Sequence, residues 1–576
     1  MIALLMMLAL QDTTIVIHPD SSGVTLEALA LPRVVSDEVI RFYNAPGTTR
    51  LVGRTRLPHG NEWRGDVAVR NGPVFIAGRV QGTLVVINGD LQFEPGADVS
   101  GDVIVVGGVV DDSAAAKIGG ELRQYREPLF YRLRNEGDQI AYAPNLRRRL
   151  WNPGAHVSWG TADSRSTLTI ATGGTFNRVE GLPIVFGPLF DWRLQQDFRL
   201  RIDALGVFRS AGDLSDNRSD LGYMFRSELR SGEVQHVGLG VRAFDIVSPV
   251  EDWGLHNAEI GWSAFVFARD YRDYFLDKGW AARVFAQPNR PLAVSLEFRH
   301  EWQTSAAVKD PWTIFRHAEL WRPNPPIDEG HYNTVVAAAT FDTRNDADDP
   351  TAGWLVRTTL EHSRSNDVVP RGGIPATVRD SIPTDGSYRF SRLFFDVRRY
   401  SRISPSGRVN LRLVGGGWLA GDPLPLQRRL SLGGPDPMPG HPFRSSACNG
   451  AIVDPAFAGS LLAACDRVLA FQTEYRGHVK LNWSYNPWRD EKRQGDEQRT
   501  PFWMEGLDLV VFADAGQGWL VGTGPGHVPA DRIPRFASWL VDAGLGADWS
   551  GFGIYVAKAV TTGERLRFLF RLDHRF

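Results

Sequence analysis

From His156 to the C-terminus the chain alternates apolar and polar residues, and a two-residue period puts two different chemistries on the two faces of a β-strand. Phe198, Leu200, Ile202 and Ala204 point one way while Arg199, Arg201 and Asp203 point the other. Leu292, Val294, Leu296 and Phe298 oppose Ser295, Glu297, Arg299 and Glu301. At the end Leu566, Phe568, Phe570, Leu572 and Phe576 oppose Arg567, Arg571, Asp573 and Arg575. A soluble sandwich also alternates, but its sheets close within about 100 residues and its polar face carries short side chains. A pattern this long, with one face apolar and the other charged, predicts an all-β fold whose main part is a transmembrane antiparallel β-barrel with a watery lumen. At roughly 10 residues per strand plus a turn, residues 156–576 accommodate about 16 strands, the last completed by the terminal Phe576.

Composition agrees once it is divided between two faces. The 576 residues include 31 Phe, 18 Trp, 13 Tyr and 59 Gly, yet the net charge is only −2. That balance excludes an electrostatic nucleic-acid partner, which needs a basic excess to displace counterions. Outside Met1–Leu10 no apolar stretch approaches the ~18 residues of a membrane-spanning helix, so a helical membrane protein is excluded. Met1–Leu10 has the length of a signal-peptide h-region but no basic lead, and residues 1–11 read as a truncated signal peptide. The two cysteines, Cys448 and Cys465, sit in one loop-like stretch. Either they remain free thiols, or they form a disulfide, worth about 3 kcal/mol in an oxidising compartment. Neither belongs to a metal-ligand spacing, and no metal or cofactor is expected.

Residues 12–63 form a β-leaning lead-in. Residues 64–122 then repeat: segments start at Gly65, Gly82, Gly101 and Gly119, and the first three carry a second glycine at Gly72, Gly89 and Gly108. Between them run Val67 and Val69, then Leu84–Ile87, then Val103–Val106, the pattern of a β-solenoid whose turns stack apolar residues. This stretch resembles the bactofilin repeats, and here it implies a spacer or plug more than a polymerising surface. Residues 123–155, with Arg147, Arg148 and Arg149 in a row, read as a linker or a single helix.

Four stretches of the barrel region resemble the BamA-like surface-antigen superfamily of outer-membrane insertases and two-partner secretion transporters. Phe341, Asp342, Thr343, Arg344 and Asn345, followed by Pro350, Thr351, Gly353 and Trp354, match its hairpin motif. Leu432, Gly433, Gly434 and Gly440 match its loop motif; Phe512, Asp514, Gly516 and Trp519 its wall motif; and Asp542, Gly544, Gly546 and the final strand to Phe576 its C-terminal barrel signal. The resemblance implies a long loop folded into the lumen, its arginine bonded to an acid on the wall, which maps to Asp514. The loop arginine is missing, because Pro439, Gly440 and His441 stand where the family has Arg-Gly-aromatic. Arg444 or a protonated His441 could take the arginine's place. Alternatively Pro435, Pro437, Pro439 and Pro442, with a Cys448–Cys465 clamp, hold the loop with no ion pair at all.

A second departure is that residues 12–150 show no paired amphipathic helices at the spacing of the POTRA domains with which family members meet client polypeptides. No Gly-x-Ser-x-Gly elbow or metal-binding His cluster appears, so no enzyme is expected. Asp346, Asp348 and Asp349 read as a solvated turn. The expectation is an outer-membrane barrel with a periplasmic solenoid, surrounded by outer-membrane lipid and meeting periplasmic proteins or client polypeptides. It would insert or translocate protein or lipid, or else serve as a passive pore or structural anchor.

Overall fold

A computed structural model describes residues 31, 33–108, 110–111, 116–125, 129, 131–134, 139–142, 154–161, 164–195, 198–212, 220–232, 236–289, 291–315, 320–344, 349–371, 382–383, 387–404, 407–448, 462–479, 507–549 and 552–576. The expected signal peptide and Arg147–Arg149 lie outside them.

The glycine repeat coils into a three-sided parallel solenoid. Its first side stacks Thr49–Val52, Val67–Arg70, Leu84–Ile87, Val103–Val106 and Leu122–Tyr125, and the other two sides stack four short strands each. Val69, Ile76, Val80, Leu84, Val86, Leu91 and Val105 fill a core closed to solvent. The second glycine of each turn is required by stacking: a Cβ on Gly89 would lie 2.0 Å from the Gly72 carbonyl oxygen, and one on Gly108 equally close to that of Gly89. The outer face of the first side is also apolar, and Val35, Val39 and Tyr43 of helix α1 (Arg33–Asn44) cover it together with Ile140 of the hairpin Tyr131–Arg134/Gln139–Tyr142.

Two boundaries shift. The lead-in holds a helix, because Val35, Val39 and Tyr43 recur at helical spacing, and its strands belong to the solenoid, which starts at Thr49 and not at residue 64. Its first turn escapes the repeat pattern because Arg50, Arg54 and Arg56 interrupt the apolar run at what is, among the described residues, the end of the stack. The expected linker likewise contains that covering hairpin.

The remainder is an 18-stranded sheet in strict sequence order. Its antiparallel members are β1 (Gly154–Gly160), β2 (Ser164–Thr172), β3 (Pro183–Gln195), β4 (Phe198–Arg209), β5 (Leu221–Ser231), β6 (His236–Pro249), β7 (Tyr274–Asn289), β8 (Leu292–Ser305), β9 (Gly330–Asp342), β10 (Gly353–Ser365), β11 (Tyr388–Ser404), β12 (Gly407–Gly421), β13 (Arg467–Val479), β14 (Leu507–Val521), β15 (Leu540–Trp549), β16 (Phe552–Ala559) and β17 (Arg567–Arg571). His527–Val528 is a two-residue parallel spur on β14. Alternation sorts the faces as on β8, where Ser295, Glu297, Arg299, Glu301 and Gln303 are buried while Val294, Leu296, Phe298 and Trp302 are exposed outside. An apolar outer belt around a polar interior is the architecture of a membrane-spanning barrel.

One end of the barrel is joined mainly by short turns, the other by long segments such as 250–273, 306–329 and 422–466. The solenoid meets the short-turn end, where Arg402 bonds Asp90 at 2.9 Å. Among the described residues no ladder joins β1 to β17.

Candidate functional site

The long-loop end folds into the barrel. Segment 422–466, between β12 and β13, is cross-tied by reciprocal backbone bonds between Leu430 and Cys465 and between Leu432 and Ser446, and Cys448 is joined to Cys465. Its tip reaches the wall. Leu432 and Met438 are buried against Val414 and Ala470, and Gln472 Nε2 donates to the Pro437 carbonyl at 3.0 Å. Two motif glycines permit this approach: a Cβ on Gly516 would lie 2.6 Å from the Leu432 side chain, and one on Gly440 2.5 Å from Asp542 Cβ.

The loop's ion pair is made elsewhere than expected. Arg444 donates to Asp273 at 2.5 Å and to Glu251 at 2.8 Å. Asp273 also accepts from Arg178 at 2.7 Å, the Arg322 guanidinium stands 2.7 Å from it, and Arg178 lies 3.0 Å from Asp270. Three other inward segments thus supply the partners: 173–182, 250–273 and 306–329. Burial alone would raise Asp273, but Arg322, Arg444 and Arg178 together hold it well below the usual carboxylate range. Burial pushes Glu251 up even with Arg444 beside it, and drives Arg322 down to about 10 despite Asp273, with Arg178 and Arg444 adding repulsion.

Neither Arg444 nor His441 meets Asp514. His441 Nε2 faces the Val541 carbonyl at 3.2 Å, and burial pushes its imidazole below the ordinary value. The wall acid is taken by Arg575, whose guanidinium bonds Asp514 and lies 3.9 Å from the centre of the Phe512 ring. Asp542 stands opposite Asp514 on the neighbouring strand and accepts from the Gly440 backbone N–H at 2.6 Å. The two wall carboxylates therefore hold different things: Asp514 the C-terminal tail, Asp542 the loop backbone.

The tail corrects a second expectation. The last strand ends at Arg571, and Phe576 is buried instead of completing the outer face, while Phe568 and Phe570 stay exposed. Glu259, on helix α2 (Asn257–Phe267), accepts from Arg571 at 2.6 Å and from the Leu572 N–H at 2.9 Å. His256 Nδ1 lies 2.7 Å from Asp573, and His574 lies 3.4 Å from Asp349 and 3.5 Å from Asp548. Bonds to inward groups draw residues 572–576 out of the ladder. Between Pro435, Pro439, Phe512, Tyr555 and Arg575 about 10 Å³ remains, room for one water at most.

Asp342 and Arg344 form a local clamp, with Nε and Nη2 of Arg344 on the two carboxylate oxygens at 3.0 and 2.7 Å. Of the acidic turn, Asp349 pairs with Arg408 at 2.7 Å, and Asp346 and Asp348 lie outside the described residues. Sequence reading missed Glu251, Glu259, Asp273, Arg178 and Arg322, whose inward role no period marks. Arg575 was visible only as a polar position in an alternating run.

No protein-family model and no curated protein matches this chain. Among solved structures it is similar to BamA from Haemophilus ducreyi lacking POTRA domains 1–3, with 10% identity, TM-score 0.36, and 77% of this chain and 74% of that one covered. It is also similar to CdiB from Acinetobacter baumannii (9%, TM-score 0.30, 75% and 60% covered) and CdiB from Escherichia coli (10%, TM-score 0.30, 73% and 67% covered).

Proposed function

We propose that this chain is an outer-membrane barrel that inserts or translocates polypeptide or lipid through a seam between β1 and β17, its lumen kept shut by the inward loop and tail. The observation that carries this reading is that, among the described residues, no ladder joins the two edge strands, beside ion pairs that hold the inward loop and tail. An open sheet edge in a membrane leaves backbone groups unsatisfied, and a strand or polar chain added there would satisfy them. Short turns on the periplasmic side are the rule for such barrels, so the solenoid, bonded at the short-turn end, is assigned to the periplasm.

The test couples two measurements. Planar-bilayer conductance of the whole protein should be low, and depleting it from cells should lower the amounts of other outer-membrane proteins or lipids. A large constitutive conductance with unchanged outer-membrane composition would establish a passive pore instead. Unchanged composition with low conductance would leave a structural anchor.

A further inference from the structure

On the outer face near the long-loop end, strand register lines up Trp280, His300, Asn333, Arg364 and Arg389 as successive cross-strand neighbours from β7 to β11. Arg364 and Arg389 are direct partners, both exposed and both pointing outward between buried neighbours. Like charges placed opposite each other destabilise a sheet. Among the described residues neither side chain has an acidic partner. The nearby carboxylates are engaged: Asp422 accepts from the Arg389 backbone N–H at 2.8 Å, and Asp367 accepts from His331 Nδ1 at 2.5 Å. Asn333 Oδ1 faces His300 Nδ1 at 2.8 Å, which leaves its amide N–H groups to donate elsewhere.

The depth of this row is set by the strands. Ten residues further along β10 and β11, Trp354 and Arg399 form the opposite border, the guanidinium 5.1 Å from the ring centre. Ten residues at ~3.3 Å, tilted by about 40°, span roughly 25 Å, the height of the hydrocarbon belt of such a barrel. Between them on the lipid face the register places Val356 with Val397, Thr358 with Phe395 and Leu360 with Leu393, and next to the arginines His362 Nδ1 faces Ser391 Oγ at 2.9 Å. The arginine pair therefore stands where hydrocarbon gives way to headgroups.

We infer that Arg364 and Arg389, with Asn333 beside them, form a binding site for the phosphate of an outer-leaflet lipid headgroup. Two planar guanidinium groups and an amide donor suit a phosphomonoester, and a bound dianion turns their mutual repulsion into attraction. The choice of leaflet rests on the orientation proposed above; the site itself does not.

The whole protein is reconstituted in nanodiscs of phosphatidylcholine doped with bis-phosphorylated lipid A, or with its dephosphorylated form, and the lipid retained after extraction is measured. Both faces of a nanodisc carry the same lipids, so the result is independent of orientation, which labelling of a Cys variant at Phe315, exposed in segment 306–329 at the long-loop end (Phe315→Cys), tests separately on whole cells. Expected is roughly ten-fold enrichment of the phosphorylated lipid, lost in Arg364→Gln/Arg389→Gln and reduced in each single variant. The single variants carry the test should the double variant fold poorly, which its heat-modifiable gel migration reports. Enrichment equal in wild type and variants, or equal for the dephosphorylated lipid, would overturn the site. Competition by millimolar inorganic phosphate as strong as that by the lipid would overturn the lipid as its source.

Discussion

The solenoid and the barrel bury their interiors by opposite means. The solenoid core is apolar and closed to solvent, built from residues such as Val86 and Leu84 that need no particular partner. The barrel interior is rich in guanidinium and carboxylate groups, each of which must find its mate: Arg444 with Asp273 and Glu251, Arg575 with Asp514, Arg571 with Glu259. An apolar core tolerates exchange of like for like, whereas an ion-paired one fails wherever a single partner is removed. The contrast also separates what is local from what is distant. Solenoid partners lie 17 to 19 residues apart along the chain, while Arg571 and Glu259 are 312 apart.

The largest effect should come from forcing the barrel's chemistry on the solenoid. Val86→Asp buries an unpaired charge and should cost about 4 kcal/mol or more, seen as proteolysis within residues 49–125 while the barrel keeps its heat-modifiable migration. Loss of the barrel as well would join the two regions into one folding unit. Next, Arg444→Met leaves Asp273 and Glu251 short of a cation and should cost about 3–5 kcal/mol, exposing segment 422–448 to protease. Asp514→Ala should release the tail and leave that loop protected; equal exposure of the loop in both variants would return Asp514 to the role that the sequence motif implies.

Cys448→Ser opens a loop whose ends are 17 residues apart and should cost up to about 3 kcal/mol, read as a lower thermal midpoint that reductant also produces in the wild type. Acidity should act with two signs. Glu251, raised in the folded state, takes up a proton as pH falls from neutrality toward about 4.3, which favours the folded loop in that interval. Asp273, held low, contributes stability that is full above about 3.9 and is lost as pH falls further toward its folded value. Hydrogen exchange over 422–448, corrected for the intrinsic rate, should therefore stay slow down to about pH 4 and accelerate only below it. Loosening between pH 6 and 5 would refute this assignment of the two carboxylates. The smallest effect belongs to the contact between the regions: Arg402→Ala removes a partly exposed pair worth at most about 1 kcal/mol and should change the solenoid's protease accessibility but not either region's melting.

Periodic features were legible. The two-residue alternation of β4 and β8 fixed which side chains face lipid, and the glycine column at Gly72, Gly89 and Gly108 marked the solenoid. What could not be read was pairing. Nothing along the chain connects Asp514 with Arg575, because the contact requires the tail to leave its strand, and that depends on Glu259 and His256 from a distant loop. Motif logic pointed to Arg444 as a loop cation, but its partners come from the facing loops and not from the wall. Helix α1 was missed for a related reason: its short apolar stripe has meaning only against the outer face of the solenoid it covers.

The strand count carries one more consequence. Neighbours in an alternating wall reverse heading at every step, so the seventeen among the described residues end as they began, and β1 and β17 point the same way. No antiparallel ladder can join such a pair; a parallel one, with its slanted and slightly weaker bonds, is all that geometry offers. Set β1 aside and sixteen remain, whose outermost members, β2 and β17, run in opposite senses. Setting β17 aside would do the same for β1 and β16, so parity makes one of the two edge strands the odd piece of the wall.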